Sequence, residues 1–286
     1  MIKYILKELK IAHYIKNIVI FIPLILNLQS QGLLNWIRGA GLFFIFCLMS
    51  SCVYIINDLK DKQNDRTHPI KKYRPIAANH ISRTVVFRLL FLLFIMIFLL
   101  SLLIPENCWI WILGYGLLNI LYICKLREIF YLDICCIAIG FLFRLMAGYS
   151  LIGMFPNLMI LACVFFTSCY FTCLKRRMEI LFLGKYGIHC RKSILKVRHN
   201  TIEGLTDINA ILAAVSLGVG VGACYSLLTG ILLLLMFSLV LLRLMYLSHQ
   251  NLKSDDPIWF IKKDWILKNL IIFFFLFLIL SKLYSF

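Results

Sequence analysis

Polar surface is what this sequence lacks. Charged residues make up 15% of its 286 positions and hydrophobic ones 62%. With a mean hydropathy of +0.90 and only six prolines, that balance cannot clothe a soluble globule of this size and implies an integral membrane protein. The eleven cysteines show no CxxC pairing and mostly lie in apolar runs. This excludes a metal knuckle or a disulfide framework and leaves them as small buried hydrophobes. No Gly/Ser-rich linker or low-complexity tract divides the chain, so 1–286 reads as a single transmembrane domain. The first apolar run has no small-residue cleavage site, so no cleavable signal peptide is expected. The runs also lack the alternation of barrel strands, and backbone amides in lipid need internal partners, so the fold class is all-α.

What is present is a series of apolar stretches. Those of about 17 to 25 residues can cross a hydrocarbon core roughly 30 Å thick. Nine are read, at 18–28, 39–56, 85–104, 108–124, 129–155, 158–174, 208–228, 231–247 and 265–280, the first being the weakest. The net charge of +17 could suggest nucleic acid, but its distribution argues against such a partner. With a cytoplasmic N-terminus, Lys3, Lys7, Lys10 and Lys16 lie inside with the basic loops 58–83, 125–128, 175–207 and 249–268, and Arg38 and Lys282 lie outside. That is the positive-inside pattern. It predicts a bacterial inner (plasma) membrane location, with the C-terminus on the opposite side. The two long cytoplasmic loops, after the second and sixth helices, are expected to fold as short caps over a cytoplasmic site.

The second apolar run ends in Asn57, Asp58, Asp61 and Asp65, the pattern NDxxDxxxD. If the helix continues past Ile56, offsets of three and four residues keep the three aspartates on one stripe. Three like charges so close repel one another unless a cation removes the conflict. Mg²⁺ typically takes one or two carboxylates plus substrate phosphates. The flanking Arg66, Lys71, Lys72 and Arg74 suit a metal that carries a polyanion. The bland alternative is a solvated charged loop whose bases only fix topology.

The fuller string NDxxDxxxDxxHPxKxxRPIA, over 57–77, resembles the first aspartate-rich motif of the UbiA superfamily of intramembrane prenyltransferases. It is most like the branch containing decaprenyl-phosphate phosphoribosyltransferase. Shorter pieces fit the same branch: HYIKN at 13–17, LD at Leu132 and Asp133, GFxxRxxAG at 140–148, and LKRRMEI at 174–180. The resemblance implies a bundle of nine transmembrane helices, Mg²⁺ on Asp58, Asp61 and Asp65, and a bound diphosphate. It places Lys16, Asn17, Asn57, His68, Lys72 and Arg74 among the substrate-binding residues.

Members of that superfamily carry a second aspartate cluster at the cytoplasmic end of helix six. This chain reads Leu174, Lys175, Arg176, Arg177, Met178 and Glu179 there, bases where carboxylates are expected. One acidic and one basic cluster suit a metal-bound diphosphate beside a second phosphate held by ion pairs. 5-Phosphoribosyl diphosphate (PRPP) has that layout. A polyprenyl phosphate acceptor would add a third anion for Lys125, Arg127 or Arg144. At 100° per residue Asp133, Gly140, Arg144 and Gly148 fall near one line, with Arg144 about 16 Å along the helix from Asp133. An arginine so deep needs a cavity or a partner, either a substrate or a structural salt bridge. The glycines serve either close packing or a lipid tail. Glu179 lies four residues after Lys175, a spacing for a plain helix-face ion pair.

The resulting expectation is Mg²⁺-dependent transfer of 5-phosphoribose from PRPP to a decaprenyl-like polyprenyl phosphate, with release of diphosphate. Asp58, Asp61 and Asp65 are its catalytic residues, and Lys125, Asp133, Arg144, Lys175, Arg176 and Glu179 contact substrate. Two alternatives stay open: an intramembrane prenyltransferase acting on an aromatic or lipid acceptor, and a non-catalytic lipid-binding protein or transporter. Prenyl chain length, acceptor, pathway and any homo-oligomeric state are not fixed by the sequence. Arg243 is read as snorkelling, glycines 218, 220 and 222 as packing, and Asp255, Asp256 and Asp264 as solvated loop charges.

Overall fold

The computed structural model describes residues 2–28, 31–67, 71–185, 197, 199–224, 226–250 and 257–283. The described residues are helical with connecting turns and contain no strand. They form two compact units, Met1–Ile123 with Phe143–Phe155, and Cys124–Leu142 with Pro156–Phe286.

In the first unit, α1 (Ile2–Glu8) leads through a left-handed Lys10 (φ 51) into a 3₁₀ helix, Ile11–Phe21, and α2 (Ile22–Leu26). Then come α3 (Leu33–Lys60), α4 (Lys62–Thr67), a 3₁₀ turn Lys71–Tyr73, α5 (Arg83–Ser101) and α6 (Trp109–Cys124). Ser82 caps α5 by accepting the Val85 N–H. α3 packs against both α5 and the first 3₁₀ helix. The core is apolar throughout, with Ile20, Leu24, Leu42, Ile45 and Phe46 fully buried. α7 (Phe130–Leu151) contributes its last part to this unit and its first part to the other.

The second unit continues with α8 (Leu158–Lys185), α9 (His199–Cys224), α10 (Leu227–Gln250), α11 (Ile258–Lys263) and α12 (Trp265–Leu283). α9 lies against α8 and α10, and α10 also packs on α12. Tyr170, Leu174, Met178, Leu244 and Leu267 fill its main core. Gly230 on α10 lies so close to the α9 backbone at Gly218 and Gly222 that a Cβ there would collide with it. The glycine-rich run of α9 is therefore a packing feature.

Among the described residues, seven helices are long and apolar enough to cross a membrane: α3, α5, α6 with the turn before it, α7, α8, α9 and α10. The first and last expected spans correspond to shorter apolar stretches, Ile11–Leu26 and Trp265–Ser281. The first expected span, 18–28, begins in the 3₁₀ helix and continues through α2. The outer face of α5 leaves Phe87, Phe91, Phe98 and Leu99 more than half exposed, an apolar surface suited to lipid. The loop after α3 does fold, as α4 and the 3₁₀ turn. Much of the expected loop at 175–207 is helix, because α8 runs on to Lys185 and α9 starts at His199.

Candidate active site

The carboxylate motif sits where α3 ends. As expected the helix runs past Ile56, but it stops at Lys60, and Asp61 adopts a non-helical ψ of 1° before α4 begins at Lys62. Asp58 and Asp65 lie seven residues apart, two helical turns, and remain together across that break. Both accept from one nitrogen: Arg74 Nη1 lies 2.9 Å from Asp58 Oδ1 and 2.7 Å from Asp65 Oδ2. Asp61 is not brought into this pairing; its Oδ2 accepts from Asn57 Nδ2 at 3.2 Å.

The second oxygen of Asp58 meets a residue from the other end of the sequence. Lys10 Nζ lies 2.7 Å from Asp58 Oδ2. The left-handed turn at Lys10 is what redirects the chain after α1 and lets this side chain reach α3. α1 itself is fastened on either side: Tyr4 stacks on His80 with ring centroids 4.3 Å apart, Lys7 Nζ donates to the Tyr73 carbonyl, and Ser51 Oγ donates to the Leu9 carbonyl. The segment bearing Arg74 is thereby tied to the segment bearing Lys10.

Electrostatics in this cluster are governed by burial. Asp58 is 1% exposed and Asp65 4%. Burial pushes the Asp65 carboxyl above the usual range, and Arg74 pulls partly against it. Glu8, the last residue of α1, is also buried, with its carboxyl in hydrogen-bond reach of Asp58. Burial first, then the negative charge of Asp58, raises its carboxyl to about 7 against the pull of Lys10 and Arg74.

Two carboxylates already converge on one positive charge, and their hard oxygen donors suit Mg²⁺. Among the described residues, no three Asp, Glu, His or Cys side chains are gathered so as to hold a metal ion by themselves. A cation here would take further oxygens from substrate phosphate or water.

Two of the short sequence pieces meet deeper in the same unit. Arg144 Nε donates to Asn17 Oδ1 at 2.6 Å and Nη2 to Tyr115 Oη at 2.8 Å, with the guanidinium 4.5 Å from the Tyr115 ring centroid. Asn17 is fully buried and Arg144 is 7% exposed. Gly148, one turn beyond Arg144, makes this approach possible, because a Cβ there would collide with the Ile20 carbonyl oxygen. That glycine serves packing rather than room for a lipid tail.

In the second unit the remaining pieces meet in the same way. Arg176 Nε and Nη2 donate to the two oxygens of Asp133 at 2.7 and 3.0 Å, and Nη1 donates to Glu179 Oε2 at 2.9 Å. Arg176, Asp133 and Glu179 are all buried. Glu179 therefore pairs with Arg176, three residues away, where the spacing suggested Lys175. Arg177 lies 3.0 Å from Glu203 and 2.6 Å from His249 Nδ1. The base-rich stretch is thus largely neutralised by acids from other helices; Lys175 is half-buried and makes no ion pair among the described residues.

Lys16 is half-buried, Lys72 is exposed with its ammonium 5.1 Å from the Tyr73 ring centroid, and Lys125 is exposed ahead of a 3₁₀ turn. His68, Asp255 and Asp256 lie outside the described residues. Asp264 is not a free loop charge: it pairs with Arg243 at 2.8 Å and caps α12 by accepting the Leu267 N–H at 2.7 Å. That hydrogen bond from Arg243 holds its carboxyl below the usual range. Sequence reasoning missed Glu8, Lys10 and Tyr115 as site residues. Glu8 had one signal, since it is the sole acid before Asp58.

Comparison with known proteins agrees with this architecture. The profile of the UbiA prenyltransferase family matches residues 18–257. The decaprenyl-phosphate phosphoribosyltransferase of Mycolicibacterium smegmatis is 30% identical over 176 residues, 62% of this chain and 55% of that protein. The protein of the same name from Corynebacterium glutamicum is 29% identical over 196 residues, 66% of this chain and 58% of that one. The chain thus spans little more than half the length of these curated relatives. A UbiA homologue from Archaeoglobus fulgidus, solved with GPP and Mg²⁺, superposes with a TM-score of 0.69 over 96% of both chains at 16% identity. At that identity the likeness speaks for the fold alone.

Proposed function

This chain belongs to the UbiA prenyltransferase family, and from that premise we propose that it transfers 5-phosphoribose from PRPP to a polyprenyl phosphate, releasing diphosphate. The observation that carries the reading is the convergence of Asp58 and Asp65 on one cation within a ring of bases. Carboxylates alone would take a bare metal ion; carboxylates flanked by Lys10, Lys72 and Arg74 suit a metal that arrives with a diphosphate. The names of the two curated relatives speak of phosphoribosyl transfer and of decaprenyl phosphate, in keeping with this reading.

Asp58 and Asp65 would hold Mg²⁺, with Asp61 one residue outside α3 as the further acid of the motif. The ion supplies Lewis-acid neutralisation of the departing diphosphate. The chain's own residues do the rest. Arg74 and Lys10, which pair with Asp58 in the structure, would contact diphosphate oxygens in this reading. The bond from ribose C1 to the diphosphate oxygen breaks as the acceptor phosphate oxygen forms the new one, and the ring gains oxocarbenium character between them. The acceptor is already anionic, so no general base is required. Arg144, Lys125, Lys175 and Arg176 remain proposed phosphate contacts, with Arg176 first having to leave Asp133. The site faces the cytoplasm of an inner membrane in this reading, in keeping with the charge asymmetry of the loops.

One observation favours a second reading. Asp133 and Glu179 form a second carboxylate pair around Arg176, the feature that an intramembrane prenyltransferase using a prenyl diphosphate would require. Purified protein incubated with Mg²⁺, labelled PRPP, prenyl diphosphates and a panel of polyprenyl phosphates separates the two. A labelled phosphoribosyl lipid supports the first. Turnover of prenyl diphosphate alone replaces it with the second, and absence of both rejects each.

A further inference from the structure

The paired aspartates lie under a roof. Asp58 is 1% exposed and Asp65 4%, and Lys10 and Arg74, which cover them, are each bonded to Asp58. A diphosphate is far bulkier than water and cannot reach carboxylates so enclosed unless part of that cover moves.

The two covering segments are anchored differently. The one bearing Arg74 is held by apolar burial, with Ile76, Ala77 and Ile81 all buried. Its turns are closed by hydrogen bonds from the Ala78 N–H to the Arg74 carbonyl and from the His80 N–H to the Pro75 carbonyl. α1 has no such anchor. Among residues 3–10 Glu8 alone is buried, and Ile5 and Leu9 pack only half-buried against the core. The segment is held instead by polar and ring contacts: Lys10 on Asp58, Lys7 on the Tyr73 carbonyl, Ser51 on the Leu9 carbonyl, and Tyr4 stacked on His80. Segments with few buried apolar contacts open at the low end of a protein's stability range.

The backbone supplies a hinge. Among the described residues other than glycine, φ is positive at Lys10 (51°) and Asn79 (59°). Asparagine tolerates that conformation, whereas lysine bears the full clash of its Cβ. The strained residue thus sits where α1 gives way to the 3₁₀ helix, and the tolerant one adjoins His80, the ring on which α1 stacks. A change of φ at Lys10 relieves the strain and swings α1 away from the segment 71–82. The ammonium on Asp58 belongs to that same residue, so hinge and ion pair respond together.

We propose that residues 2–10 form a lid, hinged at Lys10 and latched by the Tyr4–His80 stack, whose opening admits the anionic substrate to Asp58 and Asp65. The inference rests on the reading that this cluster takes a metal-bound diphosphate, and it gives that site a moving part outside the aspartate motif.

The test uses the full-length protein in detergent carrying Tyr4→Cys and His80→Cys, joined by a short, reductively cleavable bis-thiosulfonate linker. The parent treated alike controls for the native cysteines, of which Cys124 is exposed. Hydrogen exchange over residues 2–10 and binding of labelled inorganic diphosphate with Mg²⁺ are measured before and after cleavage. Linking should slow the exchange and cut bound diphosphate at least about tenfold. Cleavage should restore both, which also shows that the linked protein was folded. If the double variant does not accumulate, Tyr4→Ala takes its place: exchange over 2–10 should rise at least about tenfold while that over 74–81 stays at the parent rate. Equal diphosphate binding by linked and cleaved protein, or parent-like exchange in Tyr4→Ala, overturns the lid and leaves the site reading standing. Failure of the parent itself to bind diphosphate with Mg²⁺ overturns both.

Discussion

Arg176 and Asp133 form a two-point ion pair, Nε to Oδ2 at 2.7 Å and Nη2 to Oδ1 at 3.0 Å, with both side chains at least 96% buried. Fork-to-fork pairing of this kind joins α8 to the first turns of α7 within the second unit. Breaking one side leaves an uncompensated buried charge. Arg176→Met should therefore destabilise the protein by about 3–5 kcal/mol, and adding Asp133→Asn should recover part of the loss. Thermal unfolding of both variants in detergent measures this. If Arg176→Met instead unfolds like the parent, the pair does not hold α7 and α8 together.

In the other unit one arginine nitrogen serves two acids, which gives Arg74 a different signature. Arg74→Ala should lower the metal-free stability by about 3 kcal/mol, because Asp65 then loses its base and Asp58 keeps only Lys10. Mg²⁺ should raise the melting temperature of this variant by more than it raises that of the parent. Equal shifts would show that the ion does not enter between these carboxylates.

Asp58→Asn should reduce Mg²⁺-dependent transfer at least about 100-fold, the loss expected when several kcal/mol of charge stabilisation go. A substrate-turnover assay together with a thermal melt distinguishes a lost site from a lost fold.

Glu8 predicts a pH effect in EDTA. Burial first, then the charge of Asp58, raises its carboxyl from about 4.5 in an open chain to about 7 in the fold. Between those values the folded protein holds a proton that the unfolded chain has released, so the contribution of Glu8 to stability falls as pH rises through that window. Lys10, Arg74 and Asp58 face it and moderate the effect. Glu8→Gln should consequently gain on the parent by the order of 1–2 kcal/mol between pH 5 and pH 8, with screening by water and by the two bases allowed for. Parallel melting profiles across that range would remove Glu8 as the source.

Gly148→Ala should cost about 1–3 kcal/mol by overpacking against the Ile20 carbonyl. It should also shift Arg144 off Asn17, visible as faster hydrogen exchange in the Ile11–Phe21 segment.

The seven long spans were legible because apolar runs of membrane length leave few other options. The 3₁₀ winding of Ile11–Phe21 was not legible, since hydropathy reports burial and not whether a short stretch winds as α or 3₁₀ helix. The aspartate stripe was legible for Asp58 and Asp65 but not for Asp61. The spacing argument assumed continuous helix, and the backbone leaves it at that residue. Asn17 with Arg144, and Asp133 with Arg176, were each singled out, yet their partnerships span 127 and 43 residues and no local pattern encodes such pairs. Tyr115 left no signal, being one more aromatic in an apolar run. The basic 174–180 stretch was read as a holder of phosphate, and its acid partners Asp133 and Glu203 were not legible because they come from other helices.

The left-handed turn at Lys10 makes the start of the chain part of the chemistry. A version trimmed of residues 2–10 would keep every membrane-length helix and still insert, yet Asp58 would lose its lysine and its acidic neighbour at one stroke. Such a protein would look sound by secondary structure and by size, and Asp58 would be left with Arg74 as its one base. Tags and truncations at that end are therefore interventions in the site, not in a dispensable tail.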